Sequence, residues 1–293
     1  MDLSKFVTNL FVFLTIVLLF NGIVFVFAND NYYKGYKDFP SKNYHSFLIA
    51  DSHGIPLEKS AEKFKIFNFS ASSDSYLDSS RKINYLIENK YKIKTIYLTV
   101  DNHTLSPYRD QFNNADKSVI YTSTIDTNYL KEKYLKYYFP IFQIKVNPLL
   151  RIYLESKIAA VFSPKKNAQE NVIWSKLPKK DQLKRAEERI SGQFPTPSRS
   201  KNLEKILLNI ITVCKANNIE LIGIKFPLSS SYSTILGDKN YGADQIFISK
   251  GLKVIDVETI FVNHEEYFGD QDHLNFKGGK ELVESIFNKT KNP

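Results

Sequence analysis

Three residues define the chemistry this chain can attempt: Ser52, Asp270 and His273. A serine hydroxyl is a poor nucleophile until a base takes its proton, and the base must itself be oriented by a third group. Ser52 stands in Asp51-Ser52-His53-Gly54, where a tight turn before the glycine can expose the hydroxyl and point its own N–H into the same pocket. Asp270 and His273 lie three residues apart in Gly269-Asp270-Gln271-Asp272-His273-Leu274-Asn275. In a turn leading into a helix, that spacing lets the carboxylate accept from the imidazole while the other ring nitrogen faces Ser52. Two more polar clusters, Ser70-Ala71-Ser72-Ser73-Asp74 and Asp101-Asn102-His103, follow apolar runs in the same way. Each residue also has a plainer reading. Ser52 can cap a helix, His53 and His103 can hydrogen-bond at a rim or contact substrate, Asp101 can support them, and Asp272 reads as a solvent-facing or capping carboxylate that could stand in for Asp270.

The elements that must position these groups follow from periodicity. Short runs rich in Ile, Val, Phe and Tyr at 45–51, 65–70, 94–100, 220–226 and 253–257 read as strands. Helical patterns at 75–89, 202–217 and 280–290 lie between or after them. This alternation predicts an α/β fold with a parallel sheet covered on both faces. Ligands bind such sheets at the carboxyl ends of the strands, where three of the polar clusters fall; the fourth, 269–275, lies after the last strand and just before the final helix. Residues 105–200 interrupt the alternation and are expected to form a helical insertion over or beside the active-site edge, with helices near 128–138, 149–161 and 179–191. Its aromatic residues are expected in a core, with a glycan groove as the other reading.

The blocks resemble those of SGNH (GDSL-like) hydrolases. Ile49-Ala50-Asp51-Ser52-His53-Gly54 is similar to the Gly-Asp-Ser block, with Ala50 for the usual glycine. The stretch Asn68 to Asp74 resembles the second block, Ser73 taking the place of the glycine whose N–H serves the oxyanion. Leu98 to His103 resembles the third block and puts Asn102 at the oxyanion asparagine, while Asp270-Gln271-Asp272-His273 matches the fourth. The following Leu274-Asn275 and Gly278 are like those of the alginate O-acetyltransferase and teichoic-acid D-alanyl-transfer relatives. The resemblance covers 46–100 and 202–286. It implies a three-layer α/β/α domain on a five-stranded, flavodoxin-like parallel sheet, a Ser52-His273-Asp270 triad, and an oxyanion site from Ser52, Asn102 and Ser73. An uncharged membrane segment near the amino terminus and the large insertion point to a cell-surface polysaccharide substrate and an acyl donor supplied by an integral-membrane protein; no nucleotide- or phosphate-binding glycine loop is present, so no cofactor is expected.

A metal-dependent phosphoesterase is a competing reading, because Asp51-x-His53 and Asn102-His103 are similar to two of that family's blocks. The chain lacks its Gly-Asp-x-x-Asp and Gly-His-x-His, so no metal is expected. A catalytically inactive, membrane-tethered glycan-binding protein is a third reading.

Residues 6–28 carry no charge and are long enough to cross a bilayer, as an anchor or a signal segment. The expected organisation is thus a membrane segment at 1–28, a linker at 29–44 and a catalytic domain at 45–293, placed outside the cytoplasm. The chain has 293 residues and a formal charge of +9, but its basic residues are scattered, which argues against a nucleic-acid partner. Its single cysteine, Cys214, excludes an intrachain disulfide and reads as a small apolar filler on a helix.

Overall fold

The computed structural model describes residues 2–126, 128–143, 146, 150, 153 and 173–287. The chain separates into two compact units: Met1–Phe39 with Ala115–Gln169, and Pro40–Asn114 with Glu170–Pro293.

The first unit begins with helix α1, Leu3–Phe27, whose most apolar window has a mean hydropathy of 2.8. This helix is long and apolar enough to cross a membrane. Most of its side chains are exposed, but Val24, Phe27 and Ala28 join Tyr32, Tyr33, Val119 and Val146 in a small apolar cluster. Where the sequence suggests a linker, the chain forms short helical turns at Ala28–Tyr32 and Lys34–Tyr36. A π-type helix occupies Leu130–Tyr138, and a 3-10 turn Pro140–Phe142 follows. Tyr121 is buried, as a core residue should be, whereas Tyr134, Tyr138 and Phe142 are exposed. The helix expected at 149–161 falls almost wholly outside the described residues.

The second unit is built on five parallel strands: β1 Ser46–Ile49, β2 Ile66–Asn68, β3 Thr95–Thr99, β4 Glu220–Lys225 and β5 Val254–Asp256. Their order is β2-β1-β3-β4-β5, the flavodoxin-like arrangement. The helices are α2 Tyr76–Glu88, α3 Lys179–Gln193, α4 Lys201–Ala216, α5 Ser230–Leu236, α6 Ala243–Ser249 and α7 Phe276–Phe287. Sequence periodicity finds α2, α3 and α4 to within a few residues. It misses the two-turn helices α5 and α6, which are too short to repeat an apolar pattern. The expectation for the last helix began four residues late, at 280, where the helix starts at Phe276.

Both faces of the sheet are buried, which is why the strands are continuously apolar. Leu48, Ala50, Ile224 and Phe226 pack with Leu282, Val283, Ile286 and Phe287 of α7. The alternating residues Phe47, Ile49, Ile96 and Leu98 are equally enclosed, and α2 packs against α4. Cys214 is buried in α4, where burial pushes its thiol up to about 12, so it packs rather than reacts.

The first and last elements of this unit touch closely. After β1 the chain turns through a 3-10 helix, Ser52–Leu57, and α7 packs directly on it. At Gly279 a Cβ would meet the Pro56 backbone, with the carbonyl carbon at 2.5 Å. Replacing Gly279→Ala is therefore expected to cost about 1–3 kcal/mol through overpacking, read as a fall in melting temperature of roughly 2–12 °C. Gly192→Ala, in α3 with open space around it, should leave stability unchanged or raise it.

Candidate active site

Ser52 is the first residue after β1 and its capping aspartate, and its hydroxyl lies at the carboxyl edge of the sheet. Asp51 caps the turn by accepting from His53 N–H at 3.0 Å. Gly54 is required because a Cβ there would meet the side chains of Ser70 and Ala50, the latter at 2.9 Å. Ser70 in turn receives the Ala50 N–H through its Oγ at 3.2 Å, which ties the first and second blocks together.

The Asp270–His273 turn is closed by its own backbone, with Gly269 N–H donating to His273 C=O at 2.8 Å. Asp270 Oδ1 accepts from the backbone N–H groups of Asp272 and His273 at 3.1 and 2.9 Å. Asn275 then accepts from Gly278 N–H at 3.0 Å and starts α7. The result is one continuous chain of polar contacts. His273 Nε2 lies 2.7 Å from Ser52 Oγ, and His273 Nδ1 lies 2.8 and 2.9 Å from the two carboxylate oxygens of Asp270. A hydroxyl, an imidazole and a carboxylate in this order can move a proton off the serine as it attacks a carbonyl.

Beneath this chain lies a buried layer of charge. His53 and His103 are 2% and 4% exposed, so neither sits at the rim. His53 Nδ1 is 2.5 Å from Asp101 Oδ2, and its Nε2 is 3.7 Å from Asp272 Oδ2. Its ring meets that of His273 edge-on at 5.0 Å between centroids. Asp101 also accepts from Thr99 Oγ1 at 3.1 Å and from Phe226 N–H at 2.6 Å, which fastens the ends of β3 and β4 to the same imidazole.

Asp272 corrects its surface reading. It is 1% exposed, accepts from Arg189 Nε at 2.9 Å and Gln193 Nε2 at 3.1 Å, and places Oδ1 3.3 Å from His273 Nδ1. Both partners belong to α3, whose charged sequence reads as a solvated face and gives no hint of this contact. Arg109 is likewise unannounced by any motif: it donates to Asp51 Oδ2 at 3.2 Å, which His103 Nε2 also approaches at 3.3 Å, and to the Asp74 carbonyl.

Burial alone would raise the carboxyl groups of Asp51 and Asp272. It is overridden at Asp51 chiefly by His53, and at Asp272 by His53, His273 and Arg189, so both are held well below the usual carboxylate range. Burial would likewise lower His53, but Asp51, Asp101 and Asp272 hold it well above the usual imidazole range. At His103 burial prevails over Asp51 and the ring is held low. Arg109, Arg189 and the His53 ring are thus the groups that face Asp51, Asp101 and Asp272 in this layer.

The remaining candidates fall on either side of this layer. Asn102 donates its side-chain amide to Glu258 Oε2 at 2.8 Å, and Glu258 also pairs with Lys225 at 3.0 Å, so the amide is engaged toward β4 and β5. Ser73 holds the left-handed conformation at φ 68°, the backbone shape for which glycine is the usual choice. Its neighbour Asp74 is pinned by Lys82 at 2.5 Å and by Asn114 at 2.9 Å.

Two groups of potential metal ligands occur among the described residues: His53 with Asp272 and His273, and Asp51 with His53 and Asp101. Their atoms are already directed at one another or at Arg109 and Arg189, so this donor set fits a hydrogen-bonded charge network better than a cation cage.

No family model matches this chain, and no curated protein matches it. Among solved structures it is similar to a candidate acylhydrolase from Bacteroides fragilis, at 9% identity and a TM-score of 0.39, over 90% of this chain and 95% of that one.

The charge layer has a pH signature. Because His53 is raised, its contribution is complete below the ordinary imidazole value of 6.5 and is lost as pH climbs toward its folded value. The lowered Asp51 and Asp272 contribute above the ordinary carboxylate value of 3.8, and that contribution is lost as pH falls below it. His53→Gln is expected to be less stable than wild type at pH 6, with the difference shrinking steadily above about pH 6.5. Thermal melts of both proteins from pH 5.5 to 9 check this.

Proposed function

We propose that this chain is a serine acyltransferase or esterase that acts outside the cytoplasm, anchored by α1, on a cell-surface polysaccharide. The observation that carries the reading is the unbroken contact from Ser52 Oγ through His273 to Asp270. In the proposed reaction, Ser52 Oγ attacks an ester or thioester carbonyl as its proton passes to His273 Nε2. Asp270 holds the imidazole and stabilises its cationic form, while the oxyanion takes the Ser52 N–H and, as a second donor, the N–H of Ser73. The leaving alcohol or thiol recovers the proton from His273, and an acyl-serine remains. A sugar hydroxyl or water, deprotonated by the same imidazole, then takes the acyl group and frees Ser52.

The sequence resemblance and the apolar α1 favour a polysaccharide acceptor and a membrane-delivered acyl donor, with simple hydrolysis as the related outcome. The Glu258 bond takes one of the two amide N–H groups of Asn102 and fixes the side chain, leaving the second N–H as the donor in question.

An activated acetyl ester offered to the full-length chain in detergent tests the reaction. Ser52→Ala is expected to lower turnover by at least about 10³-fold, with no effect of a chelator on the wild type. Chelator sensitivity together with an active Ser52→Ala variant would instead favour the metal phosphoesterase. Inertness of wild type toward esters and acetylated glycans alike would favour a binding scaffold.

Asn102→Ala separates support from donation. A direct oxyanion donor costs about 10²- to 10³-fold when removed, whereas the Glu258-bound amide is expected to cost less than about tenfold in kcat.

A further inference from the structure

The first unit places an apolar, aromatic surface at one end of α1. Between Lys5 and Asp30 the chain has no charged residue. A hydrocarbon layer of ~30 Å takes about 20 helical residues at ~1.5 Å each. Starting just after Lys5, such a span runs from Phe6 to Phe25.

The far boundary therefore falls where α1 is no longer bare. Phe25 meets the rings of Tyr137 and Tyr138 at 5.7 and 6.3 Å, and Asn21 Nδ2 donates to the Tyr138 carbonyl at 2.9 Å. Asn21, Val24 and Phe27 are buried on this side, whereas residues 3–16 are exposed throughout. Moving the layer toward the amino terminus until Asn21 leaves it would require a span of residues 1–20, which takes in both Asp2 and Lys5. Those charges resist burial in lipid far more than the engaged amide of Asn21 does.

The Leu130–Tyr138 helix that covers α1 here is itself two-sided. Tyr137 faces α1, while Leu130, Tyr134, Leu135 and Tyr138 are 71%, 48%, 51% and 43% exposed, and Phe142 just beyond is 62% exposed. Lysines at 131, 133 and 136 interleave with them; Lys136 pairs with Glu132 at 2.9 Å and Lys133 donates to the Ile120 carbonyl. Apolar and tyrosine side chains open to solvent, with lysines among them, at the depth where a spanning helix leaves the hydrocarbon, match the composition of a membrane boundary.

Resting on the reading of α1 as a membrane span, we infer that residues 128–142 form a collar seated in the headgroup–acyl boundary of a lipid bilayer, with Leu130, Tyr134, Leu135, Tyr138 and Phe142 facing lipid. The collar supplies Asn21 with its partner and adds the tyrosine belt that α1 itself lacks.

The full-length chain carrying Cys214→Ala, with an environment-sensitive fluorophore on a new cysteine at Ile16→Cys or Leu135→Cys, tests this in vesicles of phosphatidylcholine and phosphatidylglycerol. Nitroxide lipids labelled high or low on the acyl chain report depth. The probe at position 135 is expected to lose most of its emission to the shallow nitroxide and less to the deep one, and the probe at position 16 the reverse. Quenching at 16 with none at 135 overturns the collar while the span stands. Quenching at neither position overturns the span and the collar with it.

Discussion

An imidazole sealed between carboxyl groups holds the carboxyl edge of the sheet together. His53 contacts Asp101 directly and approaches Asp272, while Asp51, one residue before the serine, is held by Arg109 and faces His103. Buried like charges repel strongly unless cations stand between them, and removing one partner of such a set leaves an uncompensated charge in a medium that solvates it poorly. The ends of β1, β3 and β4 and the loop before α7 therefore meet around one ring, and the serine–histidine contact is set by that convergence. The surface triad is the visible edge of a deeper electrostatic arrangement.

The same layer pulls its two histidines in opposite directions, His53 upward and His103 downward. His53 is faced by three carboxylates, whereas His103 shares Asp51 with Arg109 and also feels His53. His273, only 5.0 Å from the His53 ring, meets the half-buried Asp270 and the buried Asp272 through the same nitrogen. Asp272 is committed to Arg189 and Gln193 as well, which leaves Asp270 as the carboxylate devoted to the imidazole.

The sheet was legible in the sequence because strands buried on both faces are written as unbroken apolar runs, and all five came through. The position of Ser52 was legible for the same reason, since turn chemistry follows directly on its strand, whereas Asp270 and His273 were legible from their spacing just before the last helix. The buried layer was not. Arg109, Arg189 and Gln193 sit on helices whose polar residues look solvent-facing, and nothing local marks which of them folds inward. Asp272 was misjudged because adjacent residues in a turn can point to opposite sides, one to solvent and one to the interior. Asn102 matched a block by position, yet its amide is drawn to Glu258, a residue 156 positions away that no motif includes. Ser73 shows the converse: a substitution that seems to forfeit glycine's freedom nevertheless keeps the left-handed backbone.

Ser52 and His273 are 221 residues apart, and the helix that follows the histidine packs on the turn that begins at the serine. The Ser52 hydroxyl can meet its imidazole only after the segment carrying His273 and α7 has been made and has wedged against Pro56, so a product truncated before residue 273 holds the serine without that partner.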